Sequence, residues 1–169
     1  MKRSAVLAGI LGSAVFARGA RAEAPADLRS LNLASGWLGE RVTLASLHGR
    51  VVLVDVFTFE CSNCTDVTPN LKHLYGAYSR AQFEIVGVHT PEVPRYQKSL
   101  NYLARQARLA ALPWPIAIDN NHRIWDAYQV GAWPTQLIFD RGGRLRVTII
   151  GEGQDRDVAT AVHSLVTAA

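Results

Sequence analysis

The sequence predicts an α/β domain: a mixed central β-sheet flanked by helices, with an N-terminal extension and a helical insertion. Three observations carry the prediction. Val51-Val52-Leu53-Val54-Asp55-Val56-Phe57 is a β-branched, almost wholly apolar run of strand length, the pattern of a central strand covered on both faces. A helical stretch follows, with Val67, Leu71, Leu74 and Tyr78 at three- and four-residue spacing. Further along, two strand-like runs are joined by Arg141-Gly142-Gly143-Arg144, a hairpin turn, and a helical segment comes after them.

Taken in order, residues 23–36 form a loosely patterned lead-in, and regular structure begins around Trp37. The central strand at 51–57 leads through Cys61-Ser62-Asn63-Cys64 into the first amphipathic helix. Gln82 to His89 is a second apolar strand. Pro94 suits a helix start, and a basic amphipathic helix runs from there to about Ala110. Trp114 to Ile118 reads as a short strand and Asn121 to Tyr128 as a short helix. Gln136–Phe139 and Leu145–Ile150 are the hairpin strands, and 155–167 is the closing helix. Strand–helix–strand followed by a hairpin and a helix makes a mixed sheet between helical layers.

The chain has 169 residues, enough for one compact domain and short of two. Apolar residues make up 49% and charged residues 19%, which supports a packed core and gives no reason to expect disorder. The first 22 residues read as an export signal. Lys2 and Arg3 precede an uncharged, largely apolar stretch from Ala5 to Ala17, and Ala20-Arg21-Ala22 supplies a small-x-small cleavage pattern. The apolar run stops at Arg18, short of the roughly 20 residues a membrane span requires, although an uncleaved anchor is the plainer alternative. Division into a signal peptide at 1–22 and a folded domain at 23–169 follows.

The signal also accounts for the basic charge. The formal net charge is +4, and residues 1–22 hold Lys2, Arg3, Arg18 and Arg21 with no acidic residue. Cleavage after Ala22 would leave 14 Lys+Arg against 14 Asp+Glu. A nucleic-acid-binding domain would keep a basic face. Arg105, Arg108, Arg141, Arg144 and Arg146 remain as scattered solvated charges, so no nucleic-acid partner is expected.

The two cysteines, spaced C-x-x-C, admit a redox dithiol, a structural disulfide, a metal site or coincidence. Structural zinc normally takes four ligands. Only His73 and His89 follow nearby, at no usual finger spacing. A disulfide closing so short a loop restricts few unfolded conformations. Cys61 falls just past a buried strand at the first turn of a helix, where unpaired N–H groups and the helix dipole favour a thiolate. Cys64, one turn on and on the same face, can attack a mixed disulfide. Redox chemistry is therefore the favoured reading, with Cys61 the exposed nucleophile and Cys64 the resolving thiol.

Asp55 lies six residues before Cys61, Pro69 eight after it, and Trp133-Pro134-Thr135 immediately precedes a strand. In order and spacing these resemble the thioredoxin superfamily. The segment "LGERVTLASLHGRVVLVDVFTF" is similar to the exported TlpA/ResA-type branch. "VGVHTPE", "IAIDNNHRIWDAYQVGAWPTQLIFDRGGRLR" and "GEG" resemble more closely the thioredoxin-like domain of DipZ-type proteins. The resemblance implies a thioredoxin fold and roles for particular residues. Pro134 would be a cis-proline facing the dithiol, and the Trp133 backbone would pair with a substrate strand. Asp55 would be a buried acid exchanging a proton with Cys64. The plainer alternatives are a residue at a wet strand end for Asp55 and an ordinary turn for Trp133 and Pro134.

Two further residues are candidates for tuning the dithiol without reacting themselves. Glu60 precedes Cys61 where typical thioredoxins carry Trp, and a carboxylate there should oppose thiolate formation. His89 ends the second strand and could share a sheet edge with Cys61, as an acid/base or thiolate partner; a satisfied loop histidine is the blander reading, taken also for Glu92. Trp114, Trp125 and Tyr128 read as core and edge packing.

The expected function is that of a periplasmic thiol–disulfide oxidoreductase, a reductase acting on cysteine pairs of exported proteins, with cytochrome c maturation among its settings. A membrane donor of the CcdA/DipZ type would recharge it. The dithiol carries the two electrons, so no other cofactor and no metal are expected, and a monomer is. Two alternatives share the fold. A Sco-type copper metallochaperone would use two cysteines and a histidine, but spaces its cysteines by three residues. A thiol peroxidase would use Cys61 or Cys64 as the peroxidatic residue, but the chain lacks the full loop motif: Thr58 stands three residues before Cys61, without the proline that precedes it in peroxiredoxins.

Overall fold

The computed structural model describes residues 27–92 and 99–168. The signal-like stretch and Pro94 therefore lie outside the described residues. Six strands form one sheet in the order β1-β4-β3-β2-β5-β6 among those residues. The strands are β1 (Gly36–Leu38), β2 (Val51–Phe57), β3 (Phe83–His89), β4 (Ile116–Ile118), β5 (Thr135–Phe139) and β6 (Leu145–Ile150). The helices are α1 (Leu44–Leu47), α2 (Ser62–Ala77), α3 (Leu100–Leu109), α4 (Arg123–Ala127) and α5 (Asp155–Thr167). β2, β3 and β4 run parallel, while β5, β6 and β1 are antiparallel to their neighbours. The mixed α/β sandwich is thus the architecture expected.

β2 is buried at all seven positions, as a central strand should be, and its side chains divide by alternation. Val51, Leu53 and Phe57 join the core beneath α2, α3 and α5, with Leu71, Leu74, Leu103 and Val162. Val52, Val54 and Val56 join the opposite core, with Leu28, Leu47, Ile124 and Tyr128. Asp55 shares the parity of Leu53 and Phe57, so it sits on the face that α2 and α3 cover.

Two short elements precede β2 without having been anticipated. A 3-10 turn spans Leu28–Leu33, capped by Asp27, and buries Leu28 and Leu31. α1 is closed by a reciprocal pair of hydrogen bonds between Thr43 and Ser46. Both are too brief to show helical periodicity. Elsewhere the boundaries move inward: β4 begins at Ile116 rather than Trp114, and the described part of α3 begins at Leu100, capped by Ser99. The hairpin turn is closed by Asp140, whose Oδ1 accepts from the backbone N–H groups of Gly142 and Arg144, with Gly143 at φ +75°.

Parallel β2, β3 and β4 deliver their C-terminal ends to one edge of the sheet, and antiparallel β5 brings its N-terminal end to the same edge. The residues at 58–64, 89–90, 119 and 133–135 therefore converge there. This convergence is what builds the site.

Candidate active site

Cys61 is the N-cap of α2, in extended conformation (φ −100°, ψ 118°), and its Sγ accepts the backbone N–H of Cys64 at 3.1 Å. The two cysteines form a disulfide, their Cα atoms 5.3 Å apart. Cys64 is buried and Cys61 only half-buried, because the first turn of α2 directs residue 64 onto the core with Val67 and Leu71. An N-terminal helix turn carries unpaired donors and the positive end of the dipole. A Cys61 thiolate would receive both.

Asp55 lies beneath this pair. It is 4% exposed, and burial pushes its carboxyl up to about 7, against the opposing pull of a hydrogen bond from Gln136. Gln136 Nε2 donates to Asp55 Oδ1 at 3.3 Å. A cavity of about 320 Å³ is lined by Asp55, Cys64, Thr68, Lys72, Gln106 and Trp114 among others. The acid and the buried cysteine thus open onto one space between α2 and α3. A carboxyl with a midpoint near neutrality can hold or release a proton at the pH where thiols exchange.

The Trp133–Pro134 bond is cis, and Pro134 is buried. The Trp133 ring packs on Trp125 with centroids 4.1 Å apart, and its indole N–H donates to the Thr90 carbonyl at 3.0 Å. Asp119, fully buried, ties that corner together. It accepts from the Thr90 hydroxyl at 3.1 Å and from the backbone N–H groups of Ile124 and Trp125 at 3.0 and 2.9 Å. Trp125 packs at the edge of the core and against Trp133, and Trp114 and Tyr128 are buried core residues.

His89 is fully buried at the end of β3, not in a loop. Its Nε2 meets Thr58 Oγ1 at 3.3 Å, and the ring stacks on Phe59 at 5.2 Å. Thr58 donates to Glu60 Oε2 at 2.8 Å, which connects His89 to Glu60. Glu92 is exposed. No group of three or more His, Cys, Asp or Glu able to hold a metal ion occurs among the described residues.

Sequence reasoning missed Gln136, Thr58, Tyr102 and Asp119. Gln136 left a trace, as the one polar amide in the apolar run 136–139. Each of the others also meets a partner far away in sequence, Thr58 with His89, Asp119 with Thr90 and Tyr102 with Glu60, for which the chain offers no local signal.

Fold and site together define an oxidoreductase with the thioredoxin fold, in which a Cys61–Cys64 disulfide is the redox group. The chain belongs to the AhpC/TSA family, whose model matches residues 23–148. It is 33% identical over 144 residues to protein DipZ of Mycobacterium tuberculosis, covering 83% of this chain and 20% of DipZ. Over 114 residues it is 28% identical to the thiol-disulfide oxidoreductase ResA of Bacillus cereus, covering 68% of this chain and 62% of ResA. The chain thus spans about a fifth of DipZ and under two thirds of ResA. Among solved structures it resembles a thiol-disulfide isomerase from Corynebacterium glutamicum, with a TM-score of 0.72, 23% identity and coverage of 80% and 94% of the two chains. StoA of Bacillus subtilis matches with a TM-score of 0.56, 18% identity and coverage of 67% and 82%. These two likenesses show the fold.

Proposed function

We propose that the protein is a thiol–disulfide reductase acting on cysteine pairs of exported proteins. The observation that carries the reading is the shared cavity: a buried acid with a midpoint near neutrality opens onto the same space as the buried member of a helix-capping disulfide.

In the reduced protein the Cys61 thiolate attacks one sulfur of a substrate disulfide. A mixed disulfide forms and one substrate thiolate leaves. Cys64 then gives its proton to the Asp55 carboxylate and attacks Cys61 Sγ, releasing the second substrate thiolate. Two electrons have passed to the substrate and the Cys61–Cys64 disulfide is restored. The cis Trp133–Pro134 loop at the same sheet edge is the surface against which a substrate strand would lie, pairing with the Trp133 backbone.

Recharging requires a dithiol donor, and a membrane protein of the CcdA/DipZ type fits that need. The DipZ similarity supports this, as does the signal-like stretch at 1–22, which would place the folded domain in the periplasm after cleavage near Ala22. Cytochrome c maturation is one setting that needs such a reductase.

The test is insulin reduction with dithiothreitol as electron source. The wild type accelerates it, Cys61→Ser is inactive, and Cys64→Ser accumulates mixed disulfides with substrate. Full activity in Cys61→Ser would sink the reading. Peroxide consumption well above that of a free thiol would favour a peroxidase instead.

A further inference from the structure

Glu60 stands immediately before Cys61 and is exposed, yet both of its carboxylate oxygens are engaged. Thr58 Oγ1 donates to Oε2 at 2.8 Å, and the Tyr102 hydroxyl, from α3, donates to Oε1 at 3.3 Å. Thr58 is 1% exposed. With its own hydrogen given to Glu60, its oxygen accepts from His89 Nε2 at 3.3 Å, which assigns the proton to that ring nitrogen. His89 is in turn fixed by the Phe59 ring stacked on it and by the edge of Phe57. The same turn is closed by the Cys61 N–H on the Thr58 carbonyl at 3.3 Å.

A surface glutamate gives up rotamer freedom when immobilised. Here β3, the turn after β2 and α3 all contribute to immobilising one, on the residue that precedes the reactive Cys61. The backbone N–H of Cys64 and the N-terminal end of α2 favour charge on Cys61; a carboxylate on the preceding residue opposes it. Asp55 belongs to a different balance, since it lies below Cys64 within the cavity.

We propose that Tyr102, Thr58 and His89 act as positioning residues that hold the Glu60 charge beside Cys61, and that this charge sets the dithiol as an electron donor. The inference rests on the dithiol-exchange reading above and adds its direction. Stabilising a thiolate stabilises the reduced protein and makes an oxidant. Destabilising it favours the disulfide, so the dithiol parts with its electrons more readily.

The test is equilibration in glutathione, in which the protein disulfide and two glutathione thiols exchange with the protein dithiol and one glutathione disulfide. Glu60→Gln removes the charge and keeps the shape. It should shift the equilibrium toward the dithiol roughly tenfold, about 30 mV less negative for a two-electron couple. Alkylation of Cys61 by iodoacetamide at pH 7 should quicken. Tyr102→Phe should shift the equilibrium the same way by about threefold, and the double variant should match Glu60→Gln alone, because Tyr102 acts through Glu60. A Glu60→Gln constant within twofold of wild type overturns the proposal. So do additive effects of the two substitutions, which would give Tyr102 a separate role. A wild type that fails to exchange with glutathione at all would remove the reductase reading itself, and this inference with it.

Discussion

Gln136 donates to Asp55 across the antiparallel pairing of β5 with β2, where the two residues are direct partners in register. The contact is 3.3 Å long and joins two buried residues. It offsets only part of the cost of burying the carboxylate, which leaves the acid with its midpoint near 7.

That relationship predicts how stability varies with pH. The folded-state midpoint of Asp55 is raised from 3.8 to about 7, so between these values the unfolded chain has released a proton that the folded one retains. The associated stability is fully present below about 3.8, falls as pH rises, and is gone above about 7. Three pKa units correspond to about 4 kcal/mol. Urea unfolding of the oxidised protein should show this decline from pH 4 to pH 8, and Asp55→Asn should flatten most of it. An equal decline in the variant would mean that Asp55 is not the titrating group.

Gly87 flanks Asp55 on its other side, as its partner in the parallel pairing with β3. A Cβ there would stand 3.0 Å from Phe57, 3.2 Å from Ile116 and 3.3 Å from Trp114 Nε1. Two of these neighbours are aromatic rings wedged in the core and cannot easily yield. Gly87→Ala should therefore destabilise the protein by about 1–3 kcal/mol, read as a lower urea midpoint at unchanged slope. An unchanged midpoint would show that the rings move aside.

The Trp125 ring supports Trp133, the residue that precedes the cis-proline. Losing an aromatic pair of this kind costs about 0.5–1.5 kcal/mol. Trp125→Ala should raise KM for protein disulfides about threefold to tenfold, while reduction of a small aromatic disulfide keeps its rate. Equal slowing of both substrates would point to a displaced dithiol rather than a loosened substrate ledge.

Cys61 and Cys64 were legible from their own spacing, and Asp55 and Pro134 from an order and spacing that resemble the thioredoxin superfamily. Asp55 interrupts an apolar run, the cysteine spacing matches one helical turn, and a Trp-Pro-Thr triplet precedes a strand. His89 was legible only as a histidine at a strand end. That it is buried follows from Phe57 and Phe59, which enclose its ring. Glu60 was visible as a charge beside the nucleophile, and nothing nearby in sequence revealed that Tyr102, 42 residues away, holds it.

The sequence by itself determined strands β2 to β6, the helix that begins at the dithiol, and the cysteine pair as the redox group, because periodicity and capping act over a few residues. Only the tertiary structure decided what surrounds those sulfurs. Parallel pairing of β2 with β3 sets Phe57 opposite His89, and antiparallel pairing of β2 with β5 sets Asp55 opposite Gln136. A shift of one residue in either register would turn every side chain of the paired strand to the other face. The buried acid, its amide partner and the anchored glutamate therefore depend on packing between distant segments, which no local pattern encodes.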